Sequence, residues 1–272
     1  MTRPRTTERA AVGRPPPVLL APAVIAVGFL LLPLAALLAR MPWRTLPEHL
    51  GSPVLAQALS LSLRTSLAAM AVCAVLGVPL AWVLARTDFP GRSLLRVAVT
   101  VPLVLPPVVA GVALLSTFGR QGVLGGLVYD LTGATLAFTT TAVVVAHAFV
   151  ALPFFVLSVE GALRSADAEY DVVAATLGAS RWRTFTRVTL PLALPGVLAG
   201  LVLGWARSLG EFGATITFAG NFPGTTQTMP LLVYTELQRD PDAAVVVSVI
   251  LLAVSIAVLA LLRERWFNQV VR

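Results

Sequence analysis

Glu160 to Pro191 reads EGALRSADAEYDVVAATLGASRWRTFTRVTLP, a charged insert between two long apolar runs. Within it, Tyr170, Val173, Ala174 and Leu177 recur at i, i+3, i+4 and i+7, which predicts a short helix with one apolar face. Gly178 follows the last periodic residue and supplies the left-handed conformation that ends such a helix, and Ser180 is placed to cap the next one. Trp182, Phe185 and Val188 mark the apolar side of that second helix, Arg181, Arg183 and Arg187 its polar side, and Pro191 is expected to end it. Taken alone, this is a helix-turn-helix at a membrane surface, and an amphipathic linker with its arginines among lipid headgroups fits as well as a docking element.

The rest of the chain supplies the membrane. Hydrophobic residues make up 57% and charged residues 12%, whereas a soluble domain carries roughly 25% charged residues, so an ordinary soluble globule is excluded. All 20 basic residues are arginine. Without a lysine the chain holds neither a G-x-x-x-x-G-K-[ST] phosphate loop nor a lysine Schiff base, so any ATP chemistry belongs to another chain. The net charge of +7 is spread in short groups between apolar runs, which argues against nucleic acid as a partner. Cys73 stands alone in an apolar run and reads as a small buried hydrophobe.

Apolar segments run from Val18 to Ala39, Ala58 to Ala85, Val97 to Phe118, Leu136 to Ser158, Leu192 to Phe212 and Ala243 to Leu262. The first is too long for a secretory h-region and reads as an uncleaved helix, because about 20 apolar residues cross a bilayer. The predicted fold is therefore an all-α integral membrane protein with six transmembrane helices. It has a tail at 1–17, a single transmembrane domain at 18–262 containing the loop 159–191, a tail at 263–272, and no appended regulatory domain. With the N-terminus in the cytoplasm, fourteen arginines fall on that side and four (Arg40, Arg44, Arg120 and Arg239) on the other. The positive-inside rule then places both termini and the charged loop in the cytoplasm.

Four features inside the apolar segments stand out. In GVLAGLVLGWARS, Gly196, Gly200, Gly204 and Ser208 repeat every four residues, a small-residue stripe that lets helices approach closely. Arg207 and Glu211 follow at i and i+4. Each is costly in hydrocarbon, so they should pair, either as a lock between helices or beside a water-filled path. In TVPLVLPPVVAG, from Thr100 to Gly111, Pro102, Pro106 and Pro107 interrupt helical hydrogen bonding, which predicts a kinked, internal helix with or without a transport role. His147 has no carboxylate or second histidine at i±3 or i±4 and reads as a packed residue rather than a metal ligand or base.

VVAATLGASRWRTFTRVTLP resembles the cytoplasmic coupling motif of bacterial ABC importer permeases, E-A-A, three residues, Gly, nine residues, I-x-L-P. Here Gly178 is followed after nine residues by Val188, Thr189, Leu190 and Pro191. Val172 stands where the motif has its acidic residue, and Asp171 lies one place earlier. Together with FGRQG (118–122) and GEFGATITFAGN (from Gly210), the chain from about Leu59 through the sixth segment is similar to the molybdate, tungstate and sulfate branch of these permeases, molybdate first.

The resemblance implies a type I importer permease fold and the role of a transmembrane subunit that is not itself an enzyme. It implies partners: an ATP-binding subunit that holds ATP and Mg, a second permease copy, an external oxyanion-binding protein, and lipid of a bacterial cytoplasmic (inner) membrane. No cofactor is expected on this chain. The coupling residues it implies are Asp171, Val172, Ala174, Ala175, Gly178, Ala179, Arg181, Leu190 and Pro191. For the pore or helix packing the candidates are Thr100, Pro106, Pro107, Gly196, Gly200, Gly204, Arg207, Glu211 and Thr215. The hydroxyls of Thr215, Thr217, Thr225, Thr226 and Thr228 can donate weakly to a passing oxyanion, or belong to an ordinary exposed loop. A stand-alone secondary transporter would need coupling carboxylates in the bilayer, and only Glu211 qualifies. An intramembrane hydrolase would need a nucleophile motif that the chain lacks.

Overall fold

The structure is a computed structural model that describes residues 17–166 and 169–270. Arg3, Arg5, Arg9 and Arg14 of the N-terminal tail, and Arg272, lie outside the described residues. Every regular element among these residues is helical. In chain order they are α1 (Pro17–Ala39), α2 (Leu46–Leu50), α3 (Pro53–Arg86), α4 (Arg92–Val104), α5 (Pro107–Phe118), α6 (Val123–Thr132) and α7 (Thr140–Ser165). There follow α8 (Glu169–Thr176), α9 (Arg181–Thr184), a π-helical turn (Phe185–Thr189), α10 (Leu190–Leu209), α11 (Gly213–Phe218), α12 (Met229–Arg239) and α13 (Pro241–Val270).

Among the described residues, five single helices are long and apolar enough to cross a bilayer: α1, α3, α7, the continuous rod Arg181–Leu209, and α13. Helices α4 and α5 pass the same test only together, as one bent pair that makes up to six spans. The kink expected in the third segment is a 118° bend between α4 and α5. Leu105 and Pro106 are both extended, with ψ of 130° and 135°, because each precedes a proline whose ring excludes the helical region from the residue before it. Two such residues in series end one helix and start another in a new direction. The segment is also less internal than predicted, since α4 buries no residue and Pro106 and Pro107 are exposed within this chain.

The core is the packing of α3, α7 and α10. Ala69, Met70, Cys73, Ala81 and Leu84 of α3 meet Ala148, Ala151, Phe155, Val156, Val159 and Leu163 of α7 and Ala193, Val197, Trp205 and Leu209 of α10. Phe155 is fully buried in a slot between two glycines. A Cβ on Gly77 would lie 2.5 Å from its Cδ1, and one on Gly200 would lie 3.1 Å from its Cδ2. The predicted glycine stripe thus packs on α7 and α3. A Cβ at Gly196 would lie 2.1 Å from the Ala162 Cβ, and one at Gly204 would meet the Met70 Sδ at 3.1 Å.

Several sequence boundaries move. Helix α7 runs past Ser158 to Ser165, so Glu160 lies within the helix and not in a loop. Pro191 does not end a helix. The rod passes through it because the π turn shifts the bonding by one residue, Leu190 N–H donating to Phe185 O. Pro191 therefore falls in the first turn of α10, where a missing N–H costs least. The stretch after Thr228 forms a helix, α12, whose Met229, Leu231 and Leu232 are buried, and α13 continues beyond Leu262 to Val270.

Candidate functional site

The stretch from Glu169 to Thr189 folds as a short capped helix hung on the start of α10. Helix α8 ends in a Schellman motif: Ala179 N–H donates to Ala174 O at 3.0 Å and Gly178 N–H to Ala175 O at 3.0 Å. Gly178 has φ +80°, and nothing lies within 4 Å of where its Cβ would sit. The glycine is thus required for its conformation rather than for space. Ser180 caps α9, its Oγ accepting from Arg183 N–H at 3.3 Å.

Asp171 is the acidic residue that points inward. Its Oδ1 accepts from the Thr189 hydroxyl at 2.7 Å, and its Oδ2 lies 3.8 Å from Arg86 Nη2. Arg86 also donates to Ala166 O at 3.0 Å. One carboxylate therefore ties α8 to the π turn and to the end of α3. Val172, by contrast, is 62% exposed. Tyr170, Val173 and Leu177 are also exposed, and α8 buries none of its residues. Of the remaining coupling candidates, Ala174, Ala179 and Leu190 are half-buried, while Ala175, Arg181 and Pro191 are exposed.

The interior candidates gather where two helix breaks meet. The break between α4 and α5 lies against the break between α10 and α11: a Cβ on Gly213 would approach Pro107 Cβ to 2.5 Å, and one on Gly111 would approach Ala214 O to 2.9 Å. At this joint Arg207 Nη1 pairs with Glu211 Oε2 at 2.6 Å. Glu211 is 1% exposed, and its Oε1 accepts from Ala214 N–H at 2.8 Å. The carboxylate thus caps α11 while neutralising Arg207, as an anion at a helix N-terminus should. Non-helical backbone at membrane depth is tolerated only against protein or a water-lined cavity.

His147, Trp205, Ser208, Thr215 and Thr228 are buried and carry side-chain polar atoms with no hydrogen-bond partner. Such groups are costly unless water or another chain reaches them. Of the other hydroxyls, that of Thr225 is exposed, while three are less available than the sequence suggests. Thr100 donates to Arg96 O and Val97 O, Thr217 to Gly213 O, and Thr226 Oγ accepts from Phe222 N–H.

Sequence reasoning missed a clamp at the other end of α7. Glu160 is 4% exposed, and its Oε1 takes both Arg96 of α4 at 2.5 Å and Arg164 at 3.0 Å. The i,i+4 spacing of Glu160 and Arg164 was a visible signal. Arg96 comes from a distant helix and had none.

The chain from residue 77 to 272 matches a family model described as a binding-protein-dependent transport system inner membrane component. Among curated relatives, the molybdenum transport system permease protein ModB of Mycobacterium tuberculosis is 49% identical over 234 residues, 86% of this chain and 88% of that protein. The sulfate transport system permease protein CysT of Escherichia coli is 38% identical, covering 85% and 84%. Among solved structures, a bacterial alginate ABC transporter in complex with a periplasmic protein bound to an alginate pentasaccharide superposes with a TM-score of 0.70 at 16% identity, covering 91% of this chain and 92% of that one. That last likeness is one of fold.

Proposed function

The chain belongs to the family of binding-protein-dependent transport inner membrane components, and on that footing we propose that it is the permease subunit of an ATP-driven importer for molybdate. Half-identity to ModB over nearly the whole length supports molybdate, with sulfate second through the weaker match to CysT. The observation that carries the coupling role is α8. It is a rigidly capped helix whose Tyr170, Val172, Val173 and Leu177 are left uncovered by their own chain, the pattern of a helix laid into a partner's groove.

In this reading two copies of the chain form the pathway. Each α8 docks on an ATP-binding subunit that holds ATP and Mg, and an external binding protein delivers the oxyanion. The arginine bias supports a cytoplasmic position for α8 and both termini. Closure of the ATPase pair draws the two α8 helices together. Asp171 passes that movement to Thr189 and hence to α10, at whose far end Arg207 and Glu211 hold the joint with α11 and α5. A rigid rod between partner and joint suits a two-state change of access.

Reconstitution tests this. Proteoliposomes containing the permease, its ATP-binding subunit and the binding protein should accumulate molybdate on addition of ATP to the ATPase side, and should not do so when the ATPase is omitted. Uptake that persists without the ATPase would overturn the reading, and uptake of sulfate in preference to molybdate would replace the solute.

A further inference from the structure

A groove of about 290 Å³ opens beside the coupling element, lined by Pro79, Trp82 and Val83 of α3 and by Arg181, Trp182 and Phe185 at the start of the rod. Its walls are aromatic. Trp82 meets Phe185 edge-on with ring centroids 6.4 Å apart, and Trp182 lies at 5.8 Å from the same ring. Trp182 is 73% exposed, although a tryptophan facing only water is poorly placed. The groove continues an uncovered apolar stripe of α3, since Val72, Val75 and Leu76 are exposed one turn and two turns before Pro79 and Val83. It therefore opens sideways along a spanning helix.

Charge distinguishes this mouth from the described arginines around it. Arg86, Arg92, Arg96 and Arg164 pair with Asp171, Asp88 and Glu160. Among the described residues Arg181, Arg183 and Arg187 make no ion pair, and all three are exposed. Arg181 lies on the rim of the groove, at the head of one span and near the end of another. An apolar aromatic slot with an uncompensated guanidinium at its mouth, at the level where spans end, matches an amphiphile with an acyl chain and an anionic head.

We propose that this groove binds an anionic phospholipid, one acyl chain lying between Trp82, Trp182 and Phe185 and the phosphate resting on Arg181. Phe185 is also the first residue of the π turn, so the bound lipid braces the joint between coupling helix and rod. The site depends on the chain spanning a bilayer and stands whichever solute the permease carries.

Acyl-chain-brominated lipids test this through tryptophan quenching. The permease, with Trp43 and Trp266 replaced by Phe, is reconstituted with brominated phosphatidylglycerol or brominated phosphatidylcholine at equal mole fraction, with and without its ATPase partner. One arginine near the surface contributes about 1 kcal/mol toward an anionic lipid, so the glycerol lipid should be preferred about fivefold. Arg181→Gln should abolish the preference, and Val83→Trp, which fills the slot and leaves Arg181 in place, should displace the lipid retained in native mass spectra. Equal quenching by both lipids, a preference that survives Arg181→Gln, or loss of quenching on assembly with the ATPase would overturn the proposal, the last by showing that the groove is covered by protein.

Discussion

The hydroxyl of Thr189 donates to the carboxylate of Asp171 at 2.7 Å, joining α8 to the π turn that leads into α10. Thr189 is 2% exposed, whereas the Asp171 side chain is 29% exposed, so losing the donor takes one charge-assisted hydrogen bond from a half-buried carboxylate. Such a loss costs about 1–3 kcal/mol. Thr189→Val keeps the shape and removes the donor. We expect the assembled transporter carrying it to retain ATP hydrolysis while transport per ATP falls several-fold, measured as the ratio of uptake to phosphate released. An unchanged ratio would remove the Asp171–Thr189 bond from the path of force.

Gly178 gives a ranking rather than a single outcome. Its φ of +80° is the strain, and the space around it is free. An L-residue there costs roughly 1–2 kcal/mol, less for Asn and more for a β-branched side chain. Uptake should therefore fall in the order Gly178→Asn, Gly178→Ala, Gly178→Val, with membrane insertion unaffected in all three. Gly178→Asp should also insert and uncouple hydrolysis from uptake, by setting a charge on the proposed docking face. A flat series would mean that the cap does not set the angle of α8.

Gly196 sits where a Cβ would lie 2.1 Å from that of Ala162. Gly196→Ala forces α10 and α7 apart and should destabilise the fold by about 1–3 kcal/mol, as overpacking does. A lowered Tm in detergent would record it. Ala162→Gly in the same chain vacates the contested space and should restore most of the loss. Failure of that rescue would place the strain elsewhere, because the two Cβ atoms are the closest pair at this contact.

How far the sequence reached depends on whether a feature is local. Gly178 and Ser180 were readable because a helix cap is decided by a few adjacent residues, and both behave as their types require. The Asp171 contact was not, because Thr189 lies eighteen residues away and meets it only through the turn at Gly178. The π turn leaves no mark in hydrophobic periodicity, so Pro191 looked like a stop and proved to be a first-turn residue. The stripe of Gly196, Gly200 and Gly204 was legible as a close-packing face. Its partners were not, nor was Gly77, which meets Phe155 from the opposite side. Two consecutive prolines announced an interruption, but a bend of 118° needs the extended ψ of both Leu105 and Pro106.

The pairing of Arg207 with Glu211 separates an ion pair that holds the joint from one that only neutralises itself. Glu211 is buried and also caps α11 through Ala214 N–H, whereas Arg207 is partly exposed. Removing one partner of a buried pair strands the other and typically costs 3–5 kcal/mol. Arg207→Ala should therefore lower the yield of folded protein and its Tm more than Arg207→Ala with Glu211→Gln, since the amide oxygen still caps α11 and carries no stranded charge. If the pair only neutralises itself, the double variant should also transport. If the joint at Pro107 and Gly213 works through the charge pair, the double variant should be folded and bind its ATPase but fail to take up substrate. Uptake measured against Tm for the two variants decides between these, and a double variant less stable than Arg207→Ala would contradict the capping role assigned to Glu211.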